Sequence, residues 1–431
     1  MRLGPALTAL LVLSTGVAGG QAPISIEEAL REARANNARL PIPAYDVAIA
    51  RERLAEARAE RWLRIAVEGD LVYAPPSGYD PTVTDAGEFR LQAVGRQPLY
   101  DGGARRAAVN RADADLAAAG GRYRIAEKDL DLEVVSQFNE MLAASEEVQT
   151  RRAGIARLES YRTSLKSRQA SGQAVASDLL KTDVRVASEE ASILDAQRRL
   201  DEARIALNEL TGRAPASPLE LSPPAFPELT VDSEPPGETP EVVEAAAEVH
   251  AAESAIAIAR AERKPHLDLS ADVGFLGSDT SRLVPAELRL MNPDATFGDR
   301  VRRDAGYSFT LSLSWPIFDM GAIRARVAQA DLALAQAKQK AEVARRDSRR
   351  QWEQAHSALL TLSCEIELLA RTEPMARDAY LEAESRYRGG AATSLEVIDA
   401  YSASIDATIR LSEAILRYRI SRALASRWGS P

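Results

Sequence analysis

Four short stretches of the chain alternate apolar and polar residues, the period-two pattern of strands with two unlike faces. In residues 64–73, "RIAVEGDLVY", one face carries Ile65, Val67, Leu71 and Tyr73, and the other carries Arg64, Glu68 and Asp70. Residues 88–98 repeat the pattern more weakly, with Phe89 and Leu91 opposite Arg90 and Gln92. Residues 266–275 set Leu267, Leu269, Ala271, Val273 and Phe275 against His266, Asp268, Ser270 and Asp272. Residues 306–315 set Tyr307, Phe309, Leu311, Leu313 and Trp315 against Ser308, Thr310, Ser312 and Ser314.

Elsewhere the apolar period is helical. An opening helix is expected over about 25–60, with Ser25 as its cap and Glu28 three residues on completing a capping box. Its counterpart spans about 239–263, with Thr239 as cap and Pro240 at the first helical position. A much longer helix is predicted over about 102–170. Val134, Phe138, Met141, Val148, Ile155, Leu158 and Leu165 fall at the three-, four- and seven-residue steps of a coiled-coil seam. A second long helix spans about 320–388, and Pro374 is expected to kink it or end a segment. After a glycine-containing tip each long helix returns, over about 177–211 and 394–428.

The two halves share one offset of 218 residues. Pro98, Leu99, Tyr100, Asp101 and Gly103 match Pro316, Ile317, Phe318, Asp319 and Gly321, and Gly172 falls on Gly390. Gly120-Gly121 would suggest a helix break, but their partners Lys338 and Gln339 are good helix formers, so the first long helix is read as continuous. An ungapped offset points to duplication of rigid elements. The predicted organisation is a first repeat over 23–216, a Pro-rich linker over 217–240 and a second repeat over 241–431. Segment 1–22 reads as a secretory signal: Arg2, an apolar stretch "LTALLVLSTGVA" and small residues in "AGGQA".

Alternation alone also describes a half-buried soluble sheet. Strands of about ten residues, aromatics near their ends (Tyr73, Phe275, Tyr307, Trp315) and an export signal favour a membrane barrel. Four strands cannot close one, and open edges are not tolerated in lipid. Two chains would supply eight strands and three would supply twelve; polar inward faces without bulky filler favour three. The faces carrying Leu267, Leu269, Leu311 and Leu313 are then expected to touch lipid.

Composition narrows the alternatives. Charged residues make up 27% and aromatics 5% of 431 residues, and the net charge is -9. Basic and acidic residues are interleaved, so no nucleic-acid surface is indicated. Cys364 is the single cysteine and reads as an ordinary packed residue of a helix. His250, His266 and His356 lack ligand spacing, so neither a metal nor a cofactor is expected. No catalytic motif is present, so an enzyme is not expected.

The junctions "QPLYDGG" and "WPIFDMG" and the tips "GQAVASDLL" and "RYRGGAATSLEVIDA" resemble those of the TolC family of outer-membrane efflux channels. The resemblance covers almost the whole chain after the signal. It implies a mainly α fold with a small β part: a homotrimer whose twelve-stranded barrel, four strands per chain, lies in outer-membrane lipid and continues as a coiled-coil α-barrel into the periplasm. It implies an efflux or type I secretion role, with a periplasmic adaptor (membrane fusion) protein and an inner-membrane pump as partners. By resemblance Glu396 and Asp399 form an acidic ring at the entrance, and Asp178 and Tyr387 brace the closed gate. Ala170, Ser171, Gly172, Ala174, Gly389, Gly390 and Ala391 are the expected adaptor-docking tips. An arginine found two residues after the tip glycine in the best-known member of the family is replaced by Ala392 here, so the gate is expected to be held differently. No cysteine follows the signal for lipid anchoring. The alternative is a periplasmic coiled-coil adaptor or scaffold, which leaves the strands unexplained.

Overall fold

A computed structural model describes residues 23–72, 87–171, 175–229, 237–278, 284 and 286–428. The signal segment, Tyr73, Gly172 and Ala174 lie outside the described residues. The elements in chain order are α1 (Ile26–Asn36), α2 (Pro41–Ala59), β1 (Arg64–Val72), β2 (Glu88–Tyr100), α3 (Ala104–Ala170) and α4 (Ala176–Leu210). There follow α5 (Pro240–Ala261), β3 (His266–Ser278), α6 (Ala286–Met291), α7 (Phe297–Asp304), β4 (Ala305–Ser314), α8 (Ala322–Arg388) and α9 (Ser394–Trp428). Both long helices have 67 residues and both returning helices have 35. Ala104 to Ala322 and Ala176 to Ser394 are each 218 residues apart, the offset read from the sequence.

Three expectations need correction. The opening helix of the first half is two helices, α1 and α2, because the chain turns extended at Asn37 (ψ 126°) and Pro41, without an amide hydrogen, starts α2. Ser25 and Glu28 do form the capping box of α1, but Thr239 at the start of α5 makes no side-chain cap. Its hydroxyl is engaged by Ser348 at 3.2 Å instead. Of the two outcomes expected at Pro374, the end of a segment does not occur: the residue lies inside α8, which runs on to Arg388. Cys364 is exposed rather than packed. The segment between β3 and β4 contains α6 and α7; Thr296 and Asp299 form a capping box that starts α7.

By contacts the chain divides into two compact units, each drawing on both sequence halves. The first comprises Met1–Ala38, Asp129–Ser233 and Ala355–Ala425. Its core follows the predicted seam: Val134, Phe138, Met141, Val148, Leu158 and Leu165 are buried, and Ile155 is half-buried. The linker segment 217–229 is pinned here. Ile24 bridges Leu221 in parallel, Tyr418 donates its hydroxyl to the Glu228 carbonyl at 2.9 Å, and Arg419 donates to the Ala225 carbonyl at 3.1 Å.

The second unit comprises Arg39–Lys128, Glu234–Gln354 and Ser426–Pro431, and it holds the sheet. The strands lie in the order β1-β2-β3-β4, all neighbours antiparallel. The two strand-to-helix junctions have one construction. Asp101 accepts from the amides of Gly103 (2.9 Å) and Arg105 (2.8 Å), and Asp319 accepts from those of Gly321 (3.0 Å) and Ile323 (2.6 Å). Each aspartate thereby satisfies two of the amides that a helix start leaves open. These amide bonds hold the Asp319 carboxyl below the usual carboxylate range. Both turns pass through left-handed backbone, at Gly102 and Gly103 (φ 68° and 96°) and at Met320 and Gly321 (φ 54° and 88°). This explains why Asp-x-Gly recurs wherever a strand hands over to a long helix.

Candidate functional site

Directly opposed residues of an antiparallel pair share a face, so the register sorts every side chain of the sheet. One face carries Ile65, Val67 and Leu71 of β1, Phe89, Leu91 and Ala93 of β2, Ala271, Val273 and Phe275 of β3, and Tyr307, Phe309, Leu311 and Leu313 of β4. It is apolar across all four strands. In the single chain it stands in the open: Val67 is 74% exposed and Phe309 73%. The other face is polar and cross-linked. Arg96 bonds Glu68 at 2.9 Å, Arg90 pairs Asp70 at 3.3 Å, Gln92 donates to Asp272 at 3.4 Å and Ser308 to Asp272 at 2.5 Å.

Aromatic side chains mark both ends of the sheet. Trp62, Tyr100 and Trp315 lie at the end where the helices join, and Phe89, Phe275 and Tyr307 at the other. Trp315 donates its indole N–H to the Arg263 carbonyl at 3.2 Å. Trp62 is 75% exposed. It precedes β1 in an irregular stretch, so alternation did not single it out. Among the described residues β1 and β4 each have one partner, leaving the sheet two open edges. Among the described residues no helix is long and apolar enough to cross a membrane.

The second candidate region is the end of the α8–α9 hairpin, within the first unit. Tyr387 lies in a buried cluster with Leu158, Tyr161, Leu165, Tyr380, Val397, Ile398, Tyr401 and Ile405. Its ring meets Tyr161 edge-on, with centroids 5.2 Å apart. Burial, with the Asp178 charge among the lesser contributors, pushes the Tyr161 phenol well above the ordinary tyrosine range. Tyr387 meets Tyr161 directly, and among the described residues no hydrogen bond joins Asp178 to Tyr387. Ala392 packs half-buried against this cluster.

The α8–α9 turn is closed by backbone geometry. Ala391 donates to the Arg386 carbonyl at 2.8 Å and Gly390 to that of Tyr387 at 3.0 Å, with Gly390 left-handed at φ 76°. That bond pair is the Schellman arrangement, so Gly390 is required by the turn itself. Gly389, Gly390 and Ala391 are exposed, as are Ala170 and Ser171 of the first tip. Glu396 is also exposed, but its carboxylate accepts from the Thr393 amide (3.3 Å) and hydroxyl (3.0 Å), completing a capping box on α9. Asp399, one turn on, is exposed. The two acids therefore differ: one is held by its helix start and the other projects.

Two further features were invisible to spacing. Glu189 on α4 is 1% exposed and bonds Arg151 of α3 at 2.8 Å and Arg185 at 2.7 Å. Gly154, inside α3, lies under Tyr401: a Cβ there would sit 2.3 Å from the Tyr401 hydroxyl and 3.1 Å from Ile405 Cδ1. That hydroxyl is buried without a hydrogen-bond partner among the described residues. Gly154→Ala is expected to cost about 1–3 kcal/mol by overpacking, despite alanine's higher helix propensity. Tyr401→Phe should restore part of the loss. Thermal denaturation of the two single variants and the double variant measures this; additive losses would mean the two residues do not meet.

The comparisons with known proteins agree with this geometry. The curated "Pyoverdine export outer membrane protein OpmQ" of Pseudomonas aeruginosa is 26% identical over 312 residues, covering 69% of this chain and 61% of the relative. This chain therefore matches less than two thirds of that relative's length. The solved outer membrane protein VceC of Vibrio cholerae superposes with a TM-score of 0.79 at 19% identity, over 94% of this chain and 96% of VceC. CusC superposes with a TM-score of 0.80 at 19% identity, over 94% and 92%. At such identities the likeness speaks for the fold. The family described as outer membrane efflux protein matches residues 29–213 and 237–430, and the chain belongs to that family.

Proposed function

We propose that three copies of this chain close one twelve-stranded barrel in the outer membrane and form an export channel, through which an inner-membrane pump discharges substrate by way of a periplasmic adaptor. One observation carries it: a four-stranded sheet with a continuous apolar face, a hydrogen-bonded polar face and two open edges. In lipid the edges must pair, and β1 of one protomer can pair with β4 of the next. Three such pairings give twelve strands, with the Arg, Glu, Gln and Asp face lining the lumen. A soluble coiled-coil scaffold would leave the apolar face in water. The 218-residue repeats, with the pinned linker between them, are on this account products of a duplication. Export of a small molecule is the cargo class that the name of the OpmQ relative supports. Outer-membrane fractionation is the test: a heat-modifiable trimer is expected there, and a soluble monomer would overturn the proposal.

In that trimer Glu396 and Asp399 lie at the periplasmic entrance, Asp178 and Tyr387 brace it, and the exposed residues at the two hairpin tips meet the adaptor. Rings of acids at a constriction bind cations. Because Glu396 is engaged by Thr393, Asp399 is assigned the larger part. Asp399→Ala should relieve most of the divalent-cation block of single-channel current, and Glu396→Ala less. Equal block in wild type and in the double variant would move the constriction elsewhere.

A further inference from the structure

The last turn of α3 carries Arg168, and its guanidinium is committed to the other hairpin. Nη1 donates to the Tyr387 carbonyl at 2.9 Å, Nη2 donates to the Arg388 carbonyl, and the group stacks on the Tyr387 ring at 5.0 Å from its centroid. Those two carbonyls belong to the last turn of α8, where the dipole favours a cation. The Tyr387 carbonyl already accepts from Gly390 in the Schellman turn, so Arg168 adds a second donor there and one to Arg388. The first hairpin thus reinforces the C-terminal cap of the second. The 218-residue offset makes Arg386 the counterpart of Arg168, yet Arg386 donates to the carbonyl of Ala391 in its own turn, at 3.2 Å. The repeat is symmetric in sequence and asymmetric in use: one arginine closes its own tip and the other ties the two tips together.

We propose that Arg168 is a latch that holds the end of the α8–α9 hairpin against the α3–α4 hairpin and keeps the entrance closed, in place of an arginine at position 392. The proposal rests on the channel reading above. Position 392 is an alanine packed against the Tyr387 cluster, so no cation can act from there. Arg168 approaches that cluster from the opposite hairpin, with a planar fork that meets two neighbouring carbonyls and a ring face at once. Lysine, a single point donor, can replace only part of that contact. Arg168 acts on position and touches no cargo.

The test is current through purified trimers in planar lipid bilayers, for wild type, Arg168→Ala, Arg168→Lys and Arg386→Ala. Loss of a charge-assisted hydrogen bond shifts a two-state equilibrium roughly tenfold or more. Arg168→Ala should therefore raise the open fraction by at least about tenfold, with Arg168→Lys intermediate and Arg386→Ala at the wild-type value. Trimer melting is recorded alongside. Wild-type gating in both Arg168 variants, or equal opening in Arg168→Ala and Arg386→Ala, would overturn the latch. So would failure of both Arg168 variants to assemble, which would make the residue a folding clamp. Absence of any wild-type current would instead overturn the channel reading beneath it.

Discussion

Phe309→Arg is expected to prevent stable assembly in the membrane, whereas Thr310→Arg, one residue along the same strand, is tolerated. Phe309 lies midway along β4 on the apolar face, opposite Ala271 and against Tyr307, with ring centroids 6.0 Å apart. An arginine placed in lipid near the bilayer midplane of a barrel costs about 2–4 kcal/mol. Three symmetric copies would suffer that cost together. Thr310 opposes Ser270 on the polar face, where Arg90, Arg96, Glu68 and Asp272 already stand. A further cation there meets water and carboxylates. The yield of heat-modifiable trimer from membranes measures both variants; equal yields would invert or abolish the assignment of faces.

The second large effect is expected at Glu189. Its carboxylate is buried between Arg151 and Arg185, and Arg151 also bonds Glu147 at 2.8 Å. Burial works against the charge on Arg151, but the bonds from Glu147 and Glu189 outweigh it and hold the guanidinium more strongly protonated than usual. Removing one member of a buried ion pair strands the other, at a cost of about 3–5 kcal/mol. Arg151 keeps Glu147, so Glu189→Ala should fall near the lower end. Arg185 keeps only its stacking on Tyr401, 5.7 Å from the ring centroid. Replacing Arg185 and Glu189 together by leucine should recover much of the stability, because no charge is then left unpaired on that side. Melting monitored by far-UV circular dichroism decides it. A Glu189→Ala protein as stable as wild type would show that water already reaches the site.

Period and alternation made most of the fold legible. The strands were readable because a sheet with one apolar and one polar face imposes opposite demands on successive residues, and the seam of α3 because Val134, Phe138 and Leu158 face one way over many turns. The break at Asn37 was marked by Pro41 and Pro43, but a continuous Ala- and Glu-rich pattern hid it. α6 and α7 lie in a polar segment too short to show a period, and only the Thr296–Asp299 pair signals a helix start. Cys364 was read as packed because it sits in a helical pattern, whereas the face it occupies is the exposed one.

The candidate site was less legible, for a physical reason. Glu189 and Glu190 are adjacent and chemically alike, and only the packing of α3 on α4 decides which is buried. The reach of Arg168 depends on the distance between two hairpin ends that are 219 residues apart in sequence. The repeat offset, which matches it to Arg386, gave no hint that the two would differ. Asp101 and Asp319 were recognisable as a repeated pair, but their capping role emerged only from their hydrogen bonds.

The most direct test of the central claim is stepwise thiol modification of single channels. Cys364→Ser removes the native thiol, and Thr310→Cys or Phe309→Cys then places one thiol per chain on either face of β4. A charged, membrane-impermeant methanethiosulfonate reagent is added to the bath while current is recorded. The trimeric barrel predicts that Thr310→Cys channels lose current in three discrete steps and that Phe309→Cys channels do not respond. Two steps, no steps, or modification of Phe309→Cys with equal effect would contradict it.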